Sequence, residues 1–180
     1  PRKAQSALRS TLARIKEALR GVDDLLKIEG DRIGFNASSA SFLDLNLVAG
    51  ATRDTQPTQL APPTVTLLQN AAEAARGPFL EAFSLPDTPA FNDWIVIQRN
   101  VIGGRLNLIH DRLSNHQLET HLIHPAIETV NRWLVLDRLN ESAYQRLMRL
   151  HFLNGDRSAA LQAYETCSEL LDKELGVEPS

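Results

Sequence analysis

Residues 141–180, ESAYQRLMRLHFLNGDRSAALQAYETCSELLDKELGVEPS, hold the pattern of two helices around a three-residue turn. Ala143, Tyr144, Leu147, Met148 and Phe152 recur on one face of a predicted helix over 141–153, with Asn140 placed to cap its start. Asn154-Gly155-Asp156 supplies turn chemistry. A second helix over 157–173 follows, with Ala160, Tyr164, Cys167 and Leu171 at i, i+4, i+7 and i+11 predicted to face inward.

Moving back by about 34 residues, the period of a helix–turn–helix repeat, sets Ala126-Ile127 over Ala160-Leu161 and Trp133 over Cys167. Leu136 then falls over Leu170 and Leu113 over Leu147. This is tetratricopeptide arithmetic, and it predicts helix pairs stacked in a row rather than a closed bundle. The earlier copy is degenerate, with His124-Pro125 opening its second helix.

Upstream, GPFLEAFSLPDTP (77–89) reads as a structured connector. Its prolines restrict the backbone, and Phe79, Leu80, Phe83 and Leu85 are expected to bury as anchors. Thr88 is the expected N-cap of a long helix with Pro89 at its first position. Phe91, Trp94, Ile95, Ile102, Leu106, Ile109 and Leu113 are its predicted buried side. Gly103-Gly104 in mid-helix costs about 1 kcal/mol per residue against alanine; a closely packed neighbouring helix is the expected compensation, and a kink the alternative. Residues 41–51 read as a short helix, 52–63 as a polar, Pro-rich loop, and 64–76 as another helix.

The head of the chain has a different character. Leu8, Leu12, Ile15 and Leu19 form the stripe of an amphipathic helix over 3–20, ended by Gly21. At about 100° per residue, Lys3, Ser6, Arg9, Ser10, Ala13 and Arg14 fall on the opposite side. That side is basic and rich in small residues, which suits a helix entering a major groove. Leu26, Ile28, Ile33 and Phe35 then alternate around Glu29-Gly30-Asp31 as a β-hairpin carrying Lys27 and Arg32. A basic helix followed at once by a small hairpin is the order of a winged helix, although helix-then-hairpin occurs elsewhere. The apolar stripe needs a cover: either upstream helices, which would make the chain a fragment, or the rest of this protein.

Charge divides along the same line. Residues 1–36 carry eight basic and five acidic side chains, +3, and the remainder eleven and seventeen, −6. A basic head on an acidic body suits a nucleic-acid-facing module joined to one with another task; the alternative is a solvated helix face. Cys167 is the single cysteine, which excludes an internal disulfide and fits a reducing cytoplasm. No stretch has the ~18 apolar residues of a membrane span, and no leader-like opening is present. His110, His116, His121 and His124 read as surface or packing residues rather than metal ligands. Trp94 and Trp133 read as packing anchors. The acidic Glu169, Asp172, Glu174 and Glu178 read as a solvated face, with contact to RNA polymerase the sharper alternative. No phosphate loop, nucleophile elbow or activated cysteine is present, so no catalytic role and no cofactor is expected.

Several stretches coincide with one family. RGPFLEAFSLPDTPAFNDWIVIQR (76–99) and the ending 141–180 closely resemble the bacterial transcriptional activation domain of Streptomyces antibiotic regulatory proteins. ALRSTLARIKEAL (7–19) and LLKIEGDRIGF (25–35) are similar to that family's recognition helix and wing. The resemblance implies a mainly α fold of tetratricopeptide-like repeats (an α–α superhelix) at 37–180. Before it, at 1–36, comes the C-terminal half of an OmpR-like winged helix. It further implies a transcription activator whose parent protein binds double-stranded DNA. By position, Lys3, Ser6, Arg9, Ser10, Ala13 and Arg14 form the recognition face, with Lys27 and Arg32 on the wing. RNA polymerase, another protein or a second copy is the implied partner of the repeats. A pure interaction scaffold, with 1–36 a structural extension, is the competing reading.

Overall fold

The computed structural model describes residues 2–20, 26–29, 32–36, 44–53 and 60–179. Two compact units divide the chain, residues 1–43 and 44–180.

In the first unit, α1 (Arg2–Ala18) is followed by β1 (Leu26–Glu29) and β2 (Arg32–Phe35). The strands pair antiparallel, with Leu26 opposite Phe35 and Glu29 opposite Arg32. The predicted stop at Gly21, the turn residues Gly30 and Asp31, and the start of the 41–51 helix lie outside the described residues.

The second unit is helical among its described residues: α2 (Asp44–Ala51), α3 (Pro62–Ala74), α4 (Pro89–Glu119), α5 (Ile123–Leu136), α6 (Glu141–Leu153) and α7 (Arg157–Leu175). The α3 helix starts two residues before its predicted onset because Pro62 and Pro63 occupy N1 and N2, where proline sacrifices no hydrogen bond. Asn140 caps α6 by accepting from the Ala143 amide, and Asp156 caps α7 by accepting from Ala159. Gly176 takes the left-handed conformation that closes α7.

Repetition is visible in the boundaries. The helices α4 and α6 end 34 residues apart, as α5 and α7 begin 34 apart. Leu113 and Leu147 are both buried, as are Trp133 and Cys167. One apolar cluster joins α2, α3 and α4 through Val48, Leu68, Ala71, Leu106, Ile109 and Leu113. Another joins α5, α6 and α7 through Ala126, Val130, Trp133, Leu147, Leu150 and Ala163.

Five packing expectations need correction. Phe152 is 59% exposed, because Ala143, Tyr144, Leu147 and Leu150 define the buried arc of α6 and leave Phe152 beside the Arg157 guanidinium. Tyr164 is 49% exposed: Cys167 and Leu171 of the predicted stripe are buried, but Ala163 takes the inner position expected of Tyr164. Trp94 is 45% exposed and stacks on Phe91 at 5.6 Å, with Phe79 edge-on at 6.2 Å. Leu80, Phe83 and Leu85 of the connector are exposed as well. There the folding information is polar: the Arg99 guanidinium gathers the carbonyls of Phe79, Leu80 and Phe83, and supports a turn in which Leu80 and Ala82 hold positive φ. Finally, nothing lies within 4 Å of a Cβ built on Gly103 or Gly104, so no close helix crossing explains them.

The start of α4 also differs in detail. Thr88 caps no amide; its hydroxyl donates to the Leu85 carbonyl at 3.1 Å. Asn92, one turn into the helix, brackets Leu85 by accepting from its N–H at 3.1 Å and donating to its C=O at 2.9 Å.

Candidate functional site

On α1, Ser6, Arg9, Ser10, Ala13 and Arg14 are all exposed. Lys3 lies in the same helix, and its side chain is outside the described residues. Helical periodicity therefore brings the predicted basic face together on one element. The opposite stripe is not fully covered: Leu8 and Ile15 are exposed, and Leu12 and Leu19 are half-buried. On the hairpin, Lys27 and Arg32 are exposed. Lys27 pairs with Glu29 at 2.9 Å, two residues along the same face of β1. In water such a pair is weak.

The helical unit carries its polar chemistry between helices. Trp133 on α5 donates its indole N–H to Asn107 Oδ1 on α4 at 2.8 Å. Asn107 donates in turn to Asp137 at 3.0 Å, and Asp137 also accepts from Asn140 at 3.0 Å. One chain of hydrogen bonds thus ties α4, the end of α5 and the start of α6. A second tie joins the first helices of successive repeats. Arg146 on α6 donates to the Asp111 carbonyl at 2.8 Å, to Ser114 Oγ at 3.0 Å and to the Asp111 carboxylate at 2.7 Å. Local pattern reading passed over these residues because the partners lie 26–35 positions apart. The available signal was polar residues, Asn107, Asp111 and Ser114, recurring on the buried side of a long helix.

Burial, and then the nearby Glu141 charge, push the Cys167 thiol up, holding it in the protonated, unreactive form. His110 is fully buried and stacks on Trp133; desolvation pushes its pKa down, with its Nδ1 bonded to the Leu106 carbonyl at 2.8 Å. His116 is half-buried, while His121 and His124 are exposed around the α4–α5 turn. Among the described residues no three His, Cys, Asp or Glu side chains group as metal ligands. None of the described helices is long and apolar enough to cross a membrane. The acidic Glu169, Asp172, Glu174 and Glu178 are all exposed.

Against known proteins, residues 41–180 match the family described as bacterial transcriptional activator domain. A curated relative, transcriptional regulatory protein MoaR1 of Mycobacterium bovis (strain BCG / Pasteur 1173P2), is 28% identical over 116 residues. That match covers 64% of this chain and 35% of the relative, so the chain spans only about a third of that protein. No solved structure matches. The 34-residue register of buried helix pairs and the family match over residues 41–180 coincide: this chain belongs to the bacterial transcriptional activator domain family.

Proposed function

We propose that this chain is the regulatory core of a DNA-binding transcription activator, acting without catalysis or cofactor. The family match over the helical unit carries this reading, and the name of the MoaR1 relative agrees with it. In this reading α1 and the β1–β2 hairpin belong to an OmpR-like winged helix. Arg9 and Arg14, with Lys3, Ser6, Ser10 and Ala13 on the same face, approach the major groove of double-stranded DNA. Lys27 and Arg32 contact the neighbouring backbone from the wing. The stacked helix pairs present the surface on which the protein self-associates or engages RNA polymerase.

The test uses the full-length parent protein. Sites are selected from fragmented genomic DNA, and affinity is then measured at several salt concentrations. A winged-helix reader loses affinity steeply with salt through counterion release. Arg9→Ala with Arg14→Ala should weaken binding to the selected sites, with helicity and melting temperature nearly unchanged. Unaltered binding removes the recognition-helix assignment. Absence of any DNA retention by the parent supports the scaffold reading instead.

A further inference from the structure

The 34-residue register sets Phe152, Leu161 and Tyr164 over Leu118, Ile127 and Val130 of the preceding helix pair. There the next pair covers that face: Val130 is fully buried, and Leu118 and Ile127 pack on the cluster that α5 shares with α6 and α7. One repeat later the face is open. Phe152, Leu161 and Tyr164 are all exposed, Leu161 by 64%, so three large apolar side chains stand where the repeat pattern places a packed helix. Charge is arranged on the same face. At about 100° per residue, Arg157, Leu161, Tyr164, Ser168, Asp172 and Leu175 fall within about a quarter-turn on one side of α7. All but the half-buried Ser168 are exposed. Basic Arg157 and acidic Asp172 lie equally far from the middle of this row. Apolar groups mark its two ends, Leu175 at one and, at the other, Phe152, whose ring lies 6.0 Å from the Arg157 guanidinium. Such a row is complementary to its own reverse.

We propose that this face pairs with the same face of a second copy of the chain, the two α7 helices lying antiparallel about a two-fold axis between Tyr164 and Glu165. An isologous contact uses one surface twice and closes on itself. Arg157 then meets the partner's Asp172, and symmetry makes that ion pair twice. Leu161 packs over the partner's Ser168, Tyr164 lies beside its own symmetry mate, and Phe152 approaches the partner's Leu175. The ion pairs set the register, and the apolar groups supply the burial. This assigns a surface and a partner to the self-association within the proposed function and rests on that part of it; the DNA-reading part stands separately. A face one helix pair wide is small beside the roughly 800 Å² per partner of a standard interface, which places dissociation in the micromolar range.

Sedimentation velocity of the whole chain should show a monomer–dimer equilibrium across micromolar concentrations. Leu161→Glu, at a position too exposed to disturb the fold, should weaken pairing by about tenfold or more, the effect of losing the burial of one large apolar side chain, with the melting temperature unchanged. Arg157→Asp and Asp172→Arg each set like charges face to face, and each alone should be monomeric where the wild-type chain pairs. Both agree with the dipole of α7, acidic at its start and basic at its end, so neither threatens folding. Mixed together, the two variants should form a heterodimer, because one then carries acidic groups at both positions and the other basic groups. Pairing through the apolar stripe of α1, or through any unrelated face, would not produce that rescue. A monomer at every concentration, a dimer indifferent to Leu161→Glu, or two charge variants that stay apart when mixed would each overturn the pairing. Such results leave salt-dependent DNA retention by the parent protein unaffected, and loss of that retention leaves the dimer unaffected, so the two failures are told apart.

Discussion

Replacing Arg146 with alanine is the sharpest test of how the repeats are held together. The substitution removes three hydrogen bonds to α4: one to a backbone carbonyl, one to a buried serine hydroxyl and one to a carboxylate. A hydrogen bond to a charged group contributes about 1.5–3 kcal/mol when shielded, but Asp111 is 44% exposed and water recovers much of that one. Ser114 keeps its own bond to the Asp111 carbonyl at 3.1 Å, so it is not orphaned as a donor. The net loss is about 2 kcal/mol, including the packing of the arginine stem. For a chain of this size that corresponds to about 4–8 °C in Tm. Thermal melts by far-UV circular dichroism should show this drop for Arg146→Ala and most of it for Arg146→Lys, because an ammonium cannot reproduce the guanidinium fork. A double-mutant cycle with Asp111→Ala should give coupling of about 1 kcal/mol. Because part of the contact is to uncharged oxygens, about half the effect should persist near 1 M NaCl, where screening extends over only about 3 Å. A Tm within about 2 °C of wild type, or no coupling, would refute the view that this arginine staples one repeat to the next.

Gly103→Ala with Gly104→Ala should raise stability by about 1–2 kcal/mol in urea titrations, since the added methyl groups meet open space in a helix interior; destabilisation would reinstate a close crossing there. Asn140→Ala should cost about 1 kcal/mol through loss of the α6 cap, together with the Asp137 contact, again read by urea unfolding. His110 binds a proton less readily folded than unfolded, chiefly through desolvation, so the unfolded state gains the proton first as pH falls. Stability should therefore decline as pH drops below the unfolded value of 6.5, by at most about 1.4 kcal/mol per pH unit, and His110→Gln should flatten that part of the profile. An equally steep decline in the variant would place the sensitivity elsewhere.

Much of the helical unit is legible in one dimension because its determinants are local or periodic. Asn140 with Glu141, Asn154-Gly155-Asp156 and the 34-residue recurrence mark helix starts, turns and pairings within a few residues of where they act. The basic face of α1 is legible for the same reason: a straight helix maps residue number to angle without reference to anything else. Phase is harder. Whether Ala163 or Tyr164 faces α6 depends on where the neighbouring helix lies, and a single position turns a side chain by about 100°. The connector misled for a related cause. Phe79, Phe83 and Trp94 have the composition of a core, yet the aromatic rings pack on one another at the surface while Arg99 organises the backbone beneath.

Composition, capping chemistry and a recurring interval were therefore enough to specify that this polypeptide forms paired helices and, earlier in its sequence, a positively charged one. They could not specify which polar residues meet. The Trp133–Asn107–Asp137 chain and the Arg146 staple arise from side chains of α4 to α6 brought together across tens of residues. A hydrogen bond requires its partners within about 3.2 Å, and only the packed arrangement of helices sets such distances.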